Sequence, residues 1–185
     1  MPDTMLEAAL SADEFIDWSL RRDAPGRFEL FDGKVVPMAP ERAGHAELKF
    51  LAARRLAEAV EQAGLACTVY GDGMAVRIGA GSVYEPDASV RCGARLSRDA
   101  VEMGDPVVVV EVVSPSSRSA DTVRKLAGYF SVPSVRHYLI LSTEDATLLH
   151  HERGVDGGIV THIVRDGVVR LEPPGIVVRG LILPD

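Results

Sequence analysis

Residues 107–125 read VVVVEVVSPSSRSADTVRK. From Val107 to Val113 every residue is β-branched except Glu111. That composition predicts a strand buried on both faces, with a buried helix as the alternative that periodicity leaves open. A carboxylate inside such a strand is costly unless a cation, a metal or the strand's open end compensates it. Asp87 poses the same problem in the strand Asp87-Ala88-Ser89-Val90-Arg91. Two acids on adjacent strands can converge on one divalent cation that prefers hard oxygen ligands. The alternative is a pair of strand-end acids hydrogen-bonded to loop amides.

Working outward from this stretch, the other elements follow from local signals. Ser11-Ala12-Asp13-Glu14 is a capping box. It opens a helix with Phe15, Trp18 and Leu20 inward, ended at Pro25-Gly26. Asp32-Gly33 between two apolar runs predicts a β-hairpin over 27–38. A longer helix begins near Gly44. Its apolar stripe is Leu48, Ala52, Leu56, Ala59 and Ala63, and Gly64 caps its end. Strands follow at 65–70 and 74–78, then the Asp87 and Glu111 strands.

Ser114-Pro115-Ser116 stops the Glu111 strand, and Ser117 or Ser119 caps the next helix. The stripe expected to face the core of that helix is Val123, Leu126, Ala127 and Phe130. Strands are expected at 137–141, 147–151 and 159–164, and the tail reads as β-like. The order helix, hairpin, helix, three strands, helix, strand, extra strands predicts an α/β (α+β) fold around a mixed sheet. One domain is expected over 1–185, with the core over about 11–149 and a β extension over 150–185.

Composition excludes some classes. No run approaches the ~18 apolar residues of a membrane span. The N-terminus lacks a basic region followed by an apolar stretch, so a cytoplasmic protein is expected. Cys67 and Cys92 are too few for a disulfide framework and read as buried thiols. The net charge of −7 argues mildly against a general nucleic-acid binder. A carboxylate-rich metal site fits that sign, because the bound cation reverses it locally.

Two carboxylates from neighbouring strands and a nearby lysine are the parts that metal-assisted phosphodiester cleavage needs. Asp121, Lys125 and Tyr129 are each four apart and form one row on their helix. That row faces a cleft, or it is a solvated Asp–Lys pair of little energetic value. On its own evidence Glu29 is a hairpin residue. His45 either caps the long helix or helps position water, and Glu47 is a weaker candidate for a third acid. His150 and His151 are adjacent on a strand and point to opposite faces, so one ion shared by that pair is not expected. A Ser114–Lys125 nucleophile pair is disfavoured, because no Gly-x-Ser-x-Gly elbow exists.

The ordered set Glu85-Pro86-Asp87, Val110-Glu111-Val112-Val113-Ser114-Pro115-Ser116, Asp121, Lys125 and Tyr129 resembles the signature of the bacterial Uma-two family. Residues 28–33, His45 and 135–140 extend the similarity across 11–149. Members are described as restriction endonucleases of the PD-(D/E)XK nuclease superfamily. The resemblance implies an αβββαβ restriction-endonuclease-like core with DNA as substrate. It also implies Mg²⁺ or Mn²⁺ held by Asp87 and Glu111. It makes Asp87, Glu111 and Lys125 the catalytic set, with Glu29, His45 and Tyr129 supporting. Val113 stands where the superfamily pattern has a lysine, which suggests that Lys125 has taken over that role. Val113 also favours the alternative, a catalytically inactive nuclease-fold binding module. A hydrolase of small phosphoesters is a third possibility. A homodimer is expected if two sites must cut one duplex. Asp87→Asn or Glu111→Gln is expected to spare the metal-free fold, since each removes charge from a crowded acidic site.

Overall fold

The computed structural model describes residues 9–21, 26–113, 120–144 and 147–182, without the side chains of residues 120 and 121. The expected stop at 114–116, the caps at Ser117 or Ser119, Pro25 and the side chain of Asp121 lie outside the described residues. Helix α1 (Ala12–Arg21) opens with the capping box, as Glu14 accepts from the Ser11 N–H at 2.8 Å and from its hydroxyl at 2.7 Å. The box fixes where α1 starts and turns Phe15 inward. Leu20 is 61% exposed, contrary to the inward position expected, because α1 buries only one narrow face on the hairpin beneath it.

That hairpin is β1 (Phe28–Phe31) and β2 (Lys34–Pro37), joined at Asp32 and Gly33 with positive φ at both. Two successive left-handed residues make the tight turn that a two-residue hairpin requires. The other strands before α3 are β3 (Cys67–Gly71), β4 (Val76–Gly79), β5 (Ser82–Tyr84), β6 (Ala88–Cys92) and β7 (Pro106–Val113). Strands β4 and β5 do not enter the central sheet. They pair with the hairpin in a four-stranded sheet of order β2-β1-β5-β4.

After α3 (Ala120–Ser131) come β8 (His137–Ser142), β9 (Leu148–Arg153) and β10 (Ile159–Val164). The central sheet has the order β10-β9-β8-β7-β6-β3, with β7 and β8 parallel and the other neighbours antiparallel. It is therefore mixed. Helix α2 (Ala43–Gln62), β3, β6, β7, α3 and β8 supply the expected αβββαβ order. The hairpin of β11 (Val168–Leu171) and β12 (Ile176–Arg179) forms a third, two-stranded sheet.

The alternation of β7 assigns its two faces. Val108, Val110 and Val112 pack under α2 together with Leu139, Ile176 and Val178. Val109 points the other way, to a cluster with Tyr84, Tyr129, Tyr138 and Ile140. α2 buries Leu48, Ala52, Leu56 and Ala59 as expected, but Ala63 is exposed and Val60 takes the last buried turn. Gly64, with φ +64°, ends the helix.

Two other expectations are corrected. In α3, Val123 is 67% exposed and Ala127 is also exposed, while Lys125 and Tyr129 turn inward. The buried face of α3 carries polar groups because they find charged partners on β7 and β1. Cys67 and Cys92 are directly opposite one another on β3 and β6 and form a disulfide, so they are not free thiols.

Candidate active site

Strands β6 and β7 run antiparallel with Ala88 facing Val110, which puts Asp87 beside Glu111. The Asp87 N–H donates to the Val110 carbonyl at 2.9 Å, and the Val112 N–H donates to Asp87 Oδ2 at 2.6 Å. The Asp87 side chain thus continues the ladder where its strand ends. Asp87 and Glu111 are 4% and 7% exposed and line one cleft of about 310 Å³. Glu29, Glu41, His45, Thr122, Lys125 and Tyr138 also line it.

Lys125 Nζ lies 3.0 Å from Glu111 Oε1 and 2.9 Å from Glu29 Oε1. Tyr129, fully buried one turn further along α3, donates its O–H to Glu111 Oε1 at 2.6 Å. The lysine and tyrosine of the row spaced by four therefore grip one carboxylate. Glu29, on β1, also accepts from the Glu85 N–H at 2.8 Å, which ties the Glu85-Pro86-Asp87 segment to the hairpin. Gly128 lets this helix face approach closely. A Cβ there would lie 2.5 Å from the Tyr84 ring, and that ring stacks edge-on against Tyr129.

Asp87 has its own cation, which the sequence did not single out. Lys49 is 6% exposed, with Nζ 2.8 Å from Asp87 Oδ1, 2.8 Å from Asp72 Oδ2 and in contact with Glu41. Arg27 bridges Asp72 at 2.6 Å and Glu85 at 2.9 Å, extending the chain of alternating charges to the hairpin. The signal for Lys49 was available. His45, Lys49, Ala52 and Leu56 are spaced by four, three and four, so Lys49 shares a face with buried residues. His45 does not cap α2, because its Nε2 is 2.7 Å from the Val112 carbonyl, which fixes the proton on that nitrogen. Glu47 is exposed and lines neither this cleft nor its neighbour.

Burial pushes Glu111 up to about 8, against the pull of Lys125, and the charges of Asp87 and Glu29 push the same way. Burial lowers Lys125, but Glu111 and Glu29 outweigh it and hold the ammonium above its usual range. Lys49 is likewise lowered by burial and raised further by Asp87 and Asp72. Both lysines are therefore charged at neutral pH, and Glu111 is the group poised to titrate.

The donor set suits a hard divalent cation. Two carboxylates at an open cleft match Mg²⁺, which takes one or two protein carboxylates and leaves the remaining positions to water and phosphate oxygens. Glu29, Asp87 and Glu111 do not converge as three ligands within 4.8 Å. Among the described residues the group that does is His137, His150 and Glu152.

The family model described as "Putative restriction endonuclease" (Uma2) matches residues 12–184. An uncharacterised protein of Synechocystis is 26% identical over 149 residues, covering 80% of this chain and 76% of that one. The crystal structure of a "putative nuclease belonging to DUF820" from Anabaena variabilis superposes with a TM-score of 0.68 at 16% identity. It covers 89% of this chain and 90% of its own. At that identity the likeness speaks for the fold alone. Among the described residues no helix is long and apolar enough to cross a membrane.

Proposed function

Because this chain belongs to the Uma2 family of restriction-endonuclease-like proteins, we propose that it is a Mg²⁺-dependent endonuclease that hydrolyses DNA phosphodiester bonds at the Asp87–Glu111 cleft. The observation that carries this reading is Lys125 Nζ at 3.0 Å from Glu111 Oε1, in the cleft shared with Asp87. Asp87 and Glu111 would hold Mg²⁺, or Mn²⁺ in its place. When bound, the ion polarises a phosphate oxygen and lowers the pKa of a coordinated water.

The chain's own residues supply the rest. Lys125 places a compact positive charge beside Glu111, where it offsets the charge that grows on the phosphate in the transition state. Tyr129 fixes the orientation of the Glu111 carboxylate through its 2.6 Å hydrogen bond. Lys49 and the Val112 N–H do the same for Asp87. Glu29 holds Lys125 from the other side and thereby limits where its ammonium can go. Hydrolysis adds water across one P–O bond, so the cleft must admit both a water and a strand of backbone. It is lined on one side by Val36 and Pro37 of β2.

Incubation of supercoiled plasmid with the protein in Mg²⁺, Mn²⁺ or chelator tests this. Nicking that needs the metal and disappears in Asp87→Asn and Glu111→Gln is the expected result. Equal nicking by wild type and both variants removes the reading. A second reading, a nuclease-fold module that binds DNA without cutting it, draws on Val113 in the usual strand-lysine position. It predicts retarded DNA migration and no nicked product under every metal condition.

A further inference from the structure

We infer that His137, His150 and Glu152 form a transition-metal site of the zinc type on the sheet face opposite the cleft. Strands β8 and β9 bring them together. His137 pairs with Glu152 in register, and His150 lies two residues before Glu152 on the same face. That face also carries Leu139, which packs under α2, whereas Tyr138 and Ile140 point towards α3. One ligand atom from each of the three residues lies within 4.8 Å of the others.

The tautomer of His137 suits metal binding. His137 Nε2 is 2.9 Å from the Pro173 carbonyl, so that nitrogen donates and carries the proton. Its Nδ1 therefore presents a lone pair, which accepts the His150 Nε2–H at 2.9 Å, and a bound ion would take the place of that proton. A histidine whose second nitrogen donates to a backbone carbonyl is the usual arrangement around a bound metal. With bonds of ~2.0–2.1 Å in a tetrahedron, two ligand nitrogens stand about 3.3 Å apart, so an ion requires only a slight opening.

Burial lowers His137, and it brings His150 down to about 4 together with its histidine neighbours. Neutral imidazole is the form that binds metal. Glu152 is partly exposed and supplies the negative oxygen ligand. His162, across from His150 on β10 and half exposed, has its Nε2 3.7 Å from Glu152 Oε2. His151 takes no part. It points to the other face, with Nδ1 at 2.8 Å from the Thr161 hydroxyl. The ion would bridge β8 and β9, and the hydrogen bond from His137 to Pro173 already ties them to the turn that leads into β12.

Cobalt(II) titration of the untagged full chain tests the site, with Zn²⁺ thermal shifts beside it. Cys67 and Cys92 are in a disulfide and offer no competing thiolate. We expect one equivalent of Co²⁺ with a tetrahedral absorption band, retained in the Asp87→Asn/Glu111→Gln double variant. That retention separates this site from the cleft. Glu152→Gln should weaken binding by at least ~10-fold and His150→Gln should abolish it. Glu152 is partly exposed, so its substitution keeps the test valid even if His150→Gln fails to fold. Absence of a tetrahedral band, or Glu152→Gln binding as tightly as wild type, overturns the site and leaves a plain His137–His150 hydrogen bond.

Discussion

Lys125 Nζ is 3.0 Å from Glu111 Oε1, although the two residues belong to a helix and to the strand before it. A lysine two residues along the strand would reach the same acid by alternation, and Val113 occupies that position. Approach from α3 brings the ammonium into direct contact and adds Glu29 as a second anchor. Under the proposed function, Lys125→Met should lower metal-dependent cleavage by at least ~100-fold, the scale of removing one transition-state donor. Calorimetry should find Mg²⁺ binding largely kept, because the lysine is no ligand. Lys125→Arg should restore little, since a planar fork does not replace a point charge. Equal nicking by Lys125→Met and wild type would sink the role given to this lysine.

Glu111 gives the site a pH signature. Its carboxyl is raised to about 8, above the value near 4.5 expected when unfolded. Between those values the folded protein holds the extra proton, so folding stability contributed by this group is fully present below ~4.5 and is lost as pH rises through ~8. His137 and His150 are lowered and act in the opposite direction at acid pH. Subtracting the melting profile of Glu111→Gln from that of wild type cancels the histidines. The difference should decline from pH 5 to 8 (about the span between the two values) and then level. A flat difference would show that Lys125 keeps Glu111 ionised throughout.

Gly128 sets how closely α3 lies. Its absent Cβ would meet the Tyr84 ring at 2.5 Å, so Gly128→Ala must displace either the ring or the helix that carries Lys125. Overpacking of this kind costs ~1–3 kcal/mol. A ~1 Å misplacement of a catalytic group can cost ~100-fold in rate. Urea unfolding beside the nicking assay should therefore show a modest stability loss and a large activity loss. Wild-type activity in Gly128→Ala would mean that the helix position is not critical.

Strong local patterns made the helices and strands legible, while the αβββαβ order and the choice of the cleft for Lys125 came from the family resemblance, because the spacing of Asp121, Lys125 and Tyr129 fits a solvated row equally well. It misassigned Val123 and Ala127 because apolar character was equated with burial. In α3 the inward face is chosen by the carboxylates waiting on β7 and β1. Lys49 is hidden among the apolar residues of α2 for the same reason. The short strands β4 and β5 carry no record of which sheet they join. The pairing of Cys67 with Cys92 depends on a register between strands 25 residues apart, which spacing alone does not reveal.

The disulfide yields a stability prediction. A closed loop of this length contributes ~3 kcal/mol in the chain-entropy model. Cys92→Ser should lower the unfolding free energy by about that amount, and reductant should do the same to wild type but nothing further to the variant. Identical urea midpoints with and without reductant would show that the bridge does not hold the protein together in solution.

Lys49 distinguishes a paired site from a merely acidic one. On sequence alone Asp87→Asn was expected to relieve repulsion and spare or strengthen the fold. In the structure Asp87 is not crowded by acids alone, because Lys49 sits 2.8 Å from its Oδ1 and also engages Asp72 and Glu41. Asp87→Asn leaves Lys49 two other carboxylates, so its cost should be small. Lys49→Met leaves three acids facing one another around a buried apolar chain. Breaking a buried pair from that side should cost about 3 kcal/mol. Asp87 would also lose the contact that orients it towards the cleft, and metal affinity should fall with stability. Urea unfolding of both variants in chelator, followed by Mg²⁺ titration, measures the two effects. If Asp87→Asn proves the more damaging to the fold, Asp87 is a structural hinge between β6 and α2 and its place in the proposed metal site is lost.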